Sequence, residues 1–419
     1  MKKLTAILIG AGSRGMSYSK LMKNNDLFDI VAVAEPITSR RERIRLEHSV
    51  PEDRCYTDWK PLVALGKIAD IAIVCTMDRD HFAPAMACID LGYDLLLEKP
   101  ISSKLEDIAP VVEAAERLGR NVFICHVLRY TPFYREVKSL LDQGVVGRVM
   151  NIEASEHVGY YHIAHSYVRG NWHKEADSSP MILAKCCHDM DILLWLTGKK
   201  CLSVNSFGSL EYFKAENCPE GATERCMDGC TVEDCPFHAP KFYLSRIPGW
   251  PANVLNPDPN EDNIMEALRT TDYGKCVFKM DNDVVDHQTV NMLLEDGITV
   301  TFTMSGFNNV QTRKIRIAGT EGEIWGDFEE KKLYWQRYNQ EVHAIDIAAK
   351  MTVTSGHGGG DTGLVKDILD LYSGVEFDTS SITTIQRSAE SHYVAFAAEQ
   401  SRRAGGELVK MDEFMKNQA

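Results

Sequence analysis

No stretch of this 419-residue chain approaches the roughly 18 consecutive apolar residues that a membrane-spanning helix needs. Basic residues are the minority charge, 46 Lys and Arg against 60 Asp and Glu, which sets the formal net charge at −14. There is no basic run and no interleaving of basic with aromatic residues, so a nucleic acid is not an expected partner. Internal repeats and low-complexity tracts are missing, and proline numbers only 15, which argues against a disordered proline-rich chain. Met1-Lys2-Lys3-Leu4 runs straight into a strand pattern without a small-residue cleavage site. That predicts no leader peptide and a cytoplasmic protein. Twelve cysteines are present. Eight of them (Cys55, Cys75, Cys88, Cys125, Cys186, Cys187, Cys201 and Cys276) are scattered among apolar neighbours and read as small buried hydrophobes of a reducing compartment.

What is there begins at the N-terminus. The apolar run Leu4–Ile9 is followed by Gly10-Ala11-Gly12-Ser13-Arg14-Gly15 and then by a helical pattern from Met16. Strand, G-x-G-x-x-G turn and helix N-terminus together make a seat for a dinucleotide pyrophosphate. A second apolar run, Ile30–Ala34, ends in Glu35, placed to accept hydrogen bonds from a ribose hydroxyl pair. Strand-like and helical segments alternate through Cys125, which predicts a parallel, doubly wound sheet over residues 1–126. Beyond it, residues 127–419 read as an α+β domain. Val149–His157, Cys201–Ser209, Gly274–Met280, His287–Leu294, Ile298–Met304, Lys314–Ile317 and Glu323–Phe328 read as strands of an open, largely antiparallel sheet. Helical patterns cover Phe133–Gln143, Ile182–Leu196, Leu364–Tyr372 and Ser380–Arg403. A polar insertion, 211–273, interrupts the strands and is long enough to carry a function or a local fold.

Several constellations carry chemistry. Glu98-Lys99-Pro100 follows the fourth long strand, where ligands sit in a doubly wound sheet. Lys99 there either polarises or deprotonates a reacting hydroxyl or is a solvated lysine after a strand. Lys185, His188 and Asp191 fall three apart on one helix face. They suit a proton relay with His188 as acid/base, or a plain ion-paired face. The segment Glu156–Trp172, with Tyr160, His162, His165, Arg169 and Trp172, mixes rings and hydrogen-bonding groups as a sugar site does, or forms a polar surface loop. The His162/His165 spacing also suits a metal, but no third ligand is nearby. In the insertion, Cys218-x7-Cys226-x3-Cys230-x4-Cys235 could enclose a structural Zn²⁺, and an iron–sulfur cluster has the same ligand set. His357-Gly358-Gly359-Gly360-Asp361 reads as a turn capping a helix.

The chain resembles the Gfo/Idh/MocA oxidoreductase family. The resemblance rests on Gly10–Gly15, on Thr76 through His81, on Glu98-Lys99-Pro100, on His188–Leu196 and on Ile317–Ile324. It implies a Rossmann domain followed by an α/β domain whose open sheet pairs copies of the chain, hence a homodimer or homotetramer. It implies hydride chemistry on sugars, polyols or their derivatives, with Lys99 catalytic and with Gly10, Gly12, Ser13, Arg14, Gly15, Glu35, Thr76, His81, Glu98 and Lys99 around the cofactor. Glu35 favours NAD; Arg40 and Arg41 leave NADP open. The family helix usually reads D-x3-H-x2-D. Here His188 and Asp191 match its last two positions, and Ala184 stands at the first. Either Lys185 compensates or His188 acts alone. The expected function is NAD-dependent oxidoreduction of a secondary hydroxyl on a carbohydrate or glycoside, read by Asp191, Lys185, Tyr160, His165, Arg169 and Trp172. The alternatives are a redox-assisted glycosidase, which oxidises, eliminates and re-reduces on one NAD, and a non-catalytic nucleotide or sugar sensor.

Overall fold

The computed structural model describes residues 3–24, 28–351 and 356–416. Met1 and Lys2, on which part of the leader-peptide reading rests, lie outside them. The first sheet collects β1 (Leu4–Ile9), β2 (Phe28–Ala34), β3 (Cys55–Tyr56), β4 (Ile71–Val74), β5 (Asp94–Leu97) and β6 (Val122–Ile124). Its order is β3-β2-β1-β4-β5-β6, and every pair is parallel. The helices between them are α1 (Ser13–Lys23), α2 (Thr38–His48), α3 (Trp59–Val63), α4 (Phe82–Asp90) and α5 (Ile108–Leu118). Strand order reverses between β1 and β4, so their carboxyl ends, at Gly10 and Thr76, flank the crevice where such sheets bind ligands.

The second sheet has nine strands. They are β7 (Val149–Gly159), β8 (Cys201–Ser209), β9 (His287–Leu294), β10 (Thr299–Asn308), β11 (Thr312–Gly319), β12 (Gly322–Asp327), β13 (Lys332–Arg337), β14 (His343–Asp346) and β15 (Val409–Lys410). Their order is β14-β13-β12-β11-β7-β10-β9-β8-β15, antiparallel throughout except for β7 beside β10. The remaining helices are α6 (Pro132–Asp142), α7 (Tyr160–His162), α8 (Met181–Ala184), α9 (Cys187–Thr197), α10 (Ala239–Leu244), α11 (Ala252–Leu255), α12 (Glu261–Thr270), α13 (Gly360–Ser373), α14 (Ile385–Arg403) and α15 (Met411–Lys416). Apolar residues of α9 and α14 join one core with the inner face of this sheet. Its other face leaves Met150, Leu202, Phe207 and Leu293 exposed.

Three features differ from the expectations. Gly274–Met280 is not a strand: Cys276, Val277 and Phe278 are buried in an irregular segment that closes the insertion. The apolar run Ile182–Leu196 is two helices, because the chain turns at Lys185–Cys186 between α8 and α9. Residues 160–168 are not a loop but α7 running into a π-helical turn over Ile163–Val168, whose aromatic side chains are largely buried. The insertion has a small core of its own, built on Phe242, Tyr243, Ile264 and Leu268. Chain order and packing also part company at the C-terminus. Leu364, Ile368 and Ile382 pack into one core of the first sheet, and Ile385 and Ala389 into the other. The Thr383 carbonyl accepts a hydrogen bond from Ile124 N at 2.8 Å, extending β6 with a residue from the far end of the chain.

Candidate active site

The glycine turn is fixed by close approach. Gly10 has φ +90°, and a Cβ on it would sit 2.5 Å from the Cys75 carbonyl oxygen. A Cβ on Gly15 would sit 2.1 Å from the Gly10 carbonyl oxygen, so α1 packs against the turn only because residue 15 has no side chain. At Gly12 the nearest atom is the Arg40 guanidinium at 3.9 Å, which leaves the N-terminus of α1 open. Gly12 caps that helix without a side chain, so its first N–H groups face outward unpaired by any cap. This open, donor-lined end fits a pyrophosphate. Glu35 is buried beside it and accepts from Ala11 N at 2.7 Å and Ile37 N at 2.9 Å. One donor per oxygen leaves each carboxylate oxygen a lone pair for a ribose hydroxyl. Arg41 is turned away onto the Glu35 and Pro36 carbonyls.

Other residues expected around the cofactor hold the turn together. Glu98 accepts from Arg14 Nε at 2.7 Å, from the Tyr18 hydroxyl at 3.0 Å and from Lys99 N at 3.0 Å. Burial pushes its carboxyl up, but Arg14 and Lys99 outweigh this and hold it below its usual range. Arg14 also pairs with Asp361 at 2.7 Å, so its guanidinium bridges α1, the end of β5 and the start of α13. The His81 ring lies between the Pro100 and Thr76 carbonyls at 2.6 and 3.1 Å. Thr76 Oγ1 donates to the Asp80 carbonyl, and Ser13 is exposed at the mouth of the turn.

Lys99 and His188 come together across the two sheets. The Lys99 ammonium donates to the Ala184 carbonyl at 2.5 Å. Residue 184 therefore meets the lysine with its backbone, having no side chain to do so. His188 follows one turn later in α9, and its Nδ1 is buried with no hydrogen-bond partner. Burial, then the neighbouring Lys99 charge, holds its pKa well below the ordinary histidine value. The imidazole is thus neutral and able to accept a proton. His126 stands behind it, ring centroids 5.6 Å apart, and His392 stands 5.4 Å behind His126. Neither buried His126 nitrogen has a hydrogen-bond partner, and its Nε2 lies 3.9 Å from Asp191 Oδ1. His392 is fixed by Ile101 N at 3.0 Å and the Ser388 carbonyl at 3.0 Å.

A buried charge cluster lies on the other side of Lys99. Lys185 Nζ is 3.4 Å from Glu156 Oε1. Arg313 reaches Glu156 at 2.5 Å and Asp189 at 2.8 Å. Burial lowers the Lys185 pKa although Glu156 opposes it. Burial raises that of Asp189 against the pull of Arg313.

Four residues expected to read a sugar are engaged elsewhere. Both Asp191 oxygens are taken by Arg129, at 2.5 and 2.7 Å, in a pair almost wholly buried. Arg169 donates to the Lys275 and Phe237 carbonyls, each at 2.7 Å, and so ties down the insertion. His165 bonds the Tyr243 hydroxyl at 2.8 Å and stacks on Tyr273. Burial, with Arg169 adding, pushes its pKa down to about 3. Trp172 Nε1 donates to Asp78, and Ser179 donates to the same carboxylate at 2.8 Å, joining the two lobes. Tyr160 packs against Phe237 with its side chain partly exposed. The four thiols of Cys218, Cys226, Cys230 and Cys235 do not gather on one point. Among the described residues, no group of three or more His, Cys, Asp or Glu side chains could hold a metal ion, so the expected structural Zn²⁺ finds no site.

Two family models match the chain. The "Oxidoreductase family, NAD-binding Rossmann fold" covers residues 4–126, and the "Oxidoreductase family, C-terminal alpha/beta domain" covers residues 138–411. The chain belongs to the Gfo/Idh/MocA oxidoreductase family. Among curated Gfo/Idh/MocA relatives, the putative oxidoreductase YteT of Bacillus subtilis is 23% identical over 75% of this chain and 77% of its own length. Inositol 2-dehydrogenase 2 of Saccharopolyspora erythraea is 32% identical over 33% of this chain and 38% of its own length. An oxidoreductase from Agrobacterium radiobacter, solved with NAD+, L-tartaric acid and magnesium, shares the fold at TM-score 0.70 and 16% identity, over 98% of this chain and 99% of its own. So does an inositol dehydrogenase homologue from Azotobacter vinelandii, solved with NADH and myo-inositol, at TM-score 0.67 and 15% identity, covering 98% of each chain.

Within this Gfo/Idh/MocA chain, His126, Arg129, Glu156, Asp189 and Arg313 join the site although the sequence pattern assigns them no role in it. His126 and Arg129 follow β6, at the carboxyl end of a parallel strand. The rule that singled out Lys99 after β5 applies there too. Glu156 and Arg313 sit on β7 and β11, a pairing that only the sheet register reveals.

Proposed function

We propose that the chain transfers a hydride between NAD and a secondary hydroxyl of a sugar, polyol or glycoside. The observation that carries this is the buried, partnerless Nδ1 of a neutral His188 beside the ammonium of Lys99. When bound, the nicotinamide supplies the hydride acceptor or donor. The chain's own residues do the rest. Gly10, Gly12 and Gly15 seat the pyrophosphate, and the Glu35 carboxylate binds the ribose and disfavours a 2′-phosphate. Lys99 polarises the substrate oxygen, and His188 takes its proton. Asp191 acts through Arg129, holding α9 in position rather than touching the sugar. Tyr160, partly exposed, and Lys185, ion-paired with Glu156 at 3.4 Å, are the side chains best placed to read hydroxyls, since Asp191, Arg169, His165 and Trp172 are held by other parts of the chain. The inositol dehydrogenases among the relatives support the polyol class. The exposed apolar residues on the outer face of the second sheet support a homo-oligomer, which light scattering of the purified protein would check.

The test is purified protein incubated with NAD and a panel of polyols, free sugars and aryl glycosides, with NADH absorbance and aglycone release followed together. NADH accumulating with one class of substrate, and lost in Lys99→Met and His188→Ala, is the expected result. Aglycone release without net NADH reassigns the chain to redox-neutral glycoside cleavage. Nucleotide binding without turnover of any panel member makes it a sensor.

A further inference from the structure

Nδ1 of His188 and both nitrogens of His126 are buried without a hydrogen-bond partner, and the two rings are neighbours, their centroids 5.6 Å and their planes 78° apart. A polar group removed from water costs free energy until it is paired, so unpaired nitrogens on adjoining rings call for a bond that joins them. A neutral imidazole carries one N–H donor and one bare acceptor nitrogen. Burial, then the Arg129 and Lys99 charges, holds the His126 pKa well below the ordinary histidine value, so this ring is neutral. Its Nε2 lies 3.9 Å from Asp191 Oδ1. A carboxylate only accepts, so the single His126 proton belongs on Nε2 and its Nδ1 is the bare nitrogen. His392, on the far side, has no donor to spare. Its Nε2 accepts from Ile101 N at 3.0 Å, and its Nδ1 faces the Ser388 carbonyl at 3.0 Å. His188 Nδ1, bearing the proton of a neutral ring, is the donor that His126 lacks.

We propose that His126 is the positioning residue of the active-site base: its Nδ1 accepts a hydrogen bond from His188 Nδ1–H, its Nε2–H donates to Asp191, and His188 Nε2 is thereby left bare toward the substrate. The proposal deepens the hydride-transfer reading and rests on it for the role of His188. A hydrogen bond of about 3 Å between two ring nitrogens sets the centroids about 5 Å apart, so small rotations of the two side chains close it. Nδ1 is the His188 nitrogen sealed inside the protein; Nε2 is not, and it is the edge that can meet a ligand. The other groups facing His188 are Lys99, Arg313 and His357. Lys99 and Arg313 are cations with no lone pair to offer, and His357 Nδ1 is engaged by Asp361 at 3.2 Å. Nor can residue 184 hold the ring, because Ala184 has no side-chain acceptor and its carbonyl takes the Lys99 ammonium. His126 therefore does the orienting that an acid at 184 would do. In the proton-transfer step the substrate hydroxyl gives its proton to His188 Nε2, and the electron pair of the broken O–H bond stays on the substrate oxygen. The imidazolium so formed keeps its Nδ1–H on His126, and the Asp191 carboxylate stabilises its charge through the intervening ring. Arg129 fixes Asp191 from the other side, so the chain of contacts runs from the end of β6 into α9.

The test is nitrogen-15 magnetic resonance of the full chain with labelled histidines, the His188 signals being assigned by their loss in His188→Gln. A protonated Nδ1 and a bare Nε2 on His188 are expected in the parent. The same form is expected in His126→Asn, whose side-chain oxygen stands in for the acceptor. In His126→Phe, which fills the space of the ring without a nitrogen, His188 should shift toward protonation at Nε2. Kinetics follow on whichever panel member the parent turns over. His126→Phe should lower kcat by about 10²-fold with KM within about twofold of the parent, and His126→Asn should recover most of the loss. A parent His188 protonated at Nε2, or a His188 tautomer that ignores His126→Phe, overturns the proposal. So does a change confined to KM, which would put His126 in contact with the substrate instead. Thermal unfolding establishes that each variant is folded, and if His126→Phe is not, the parent and His126→Asn spectra decide. A parent that turns over no panel member overturns the hydride-transfer reading, while the His188 tautomer still decides whether His126 holds the ring.

Discussion

Gly12 and Gly15 lie three residues apart in one turn, yet the same substitution at the two should fail in opposite ways. A Cβ at residue 15 meets the Gly10 carbonyl oxygen at 2.1 Å. That is backbone against backbone, with no flexible side chain to swing aside, so α1 must move away from β1. Overpacking of this kind destabilises by about 1–3 kcal/mol. In a lobe of this size each kcal/mol lowers the unfolding midpoint by roughly 2–4 °C. The displaced helix also carries the N–H groups of the cradle, so Gly15→Ala loses stability and nucleotide affinity together. At residue 12, φ is −68°, which alanine adopts freely, and the nearest atom is 3.9 Å away. Gly12→Ala should therefore unfold within about 0.5 kcal/mol of the parent. Its new methyl projects into the open space where a pyrophosphate must approach the backbone. Binding of NAD should fall by 1–3 kcal/mol, roughly 5- to 150-fold in Kd. Thermal unfolding without nucleotide and a fluorescence titration with NAD separate the two effects. If Gly12→Ala binds NAD as the parent does, the cradle is not where the phosphates sit, and the reasoning from that turn collapses.

Other outcomes follow from the same geometry. His188→Ala should lower turnover by about 10²–10⁴ while the chain stays folded, as fits a lost general base. Burial and Lys99 depress the His188 pKa, so the proton-accepting form persists below pH 6.5 and the acid limb of oxidation lies under that value. In Lys99→Met the His188 resonances should titrate at higher pH than in the parent, and an unchanged titration by nuclear magnetic resonance would disprove their contact. Arg129→Met leaves the buried Asp191 carboxylate without its partner, which should destabilise by about 3–5 kcal/mol in urea, and Arg129→Met/Asp191→Leu should recover part of that loss. Burial raises the Asp361 carboxyl, but His357 and Arg14 outweigh it and depress the pKa far below the ordinary value. Its contribution is complete above the unfolded value of about 3.9 and fades as pH falls toward the folded one. The stability gap between the parent and Asp361→Asn should be constant from pH 7 to 5 and narrow below about pH 4, and a gap that widens on acidification would contradict the sign.

The sequence alone determined what depends on local pattern. An apolar run, a glycine turn with two close approaches and an acid at the next strand's end are neighbours in the chain, and the parallel sheet follows from strands alternating with helices. Lys99 was legible for the same reason, since it ends a strand. The folded chain decided which polar groups remain free. Asp191, Arg169, His165 and Trp172 carry the right chemistry for a sugar, but each finds a partner far away in sequence: Arg129, the Lys275 and Phe237 carbonyls, Tyr243 and Asp78. Burial makes such partners compulsory, because a polar group removed from water costs free energy until it is paired. Pairing across sheets and lobes leaves no periodic trace in the sequence. Tertiary structure likewise set His126 behind His188 and joined Glu156 to Arg313 across β7 and β11. Spacing along a chain reports which side chains can share a turn or a face, and only the packed backbone determines which of them are left over to act on a ligand.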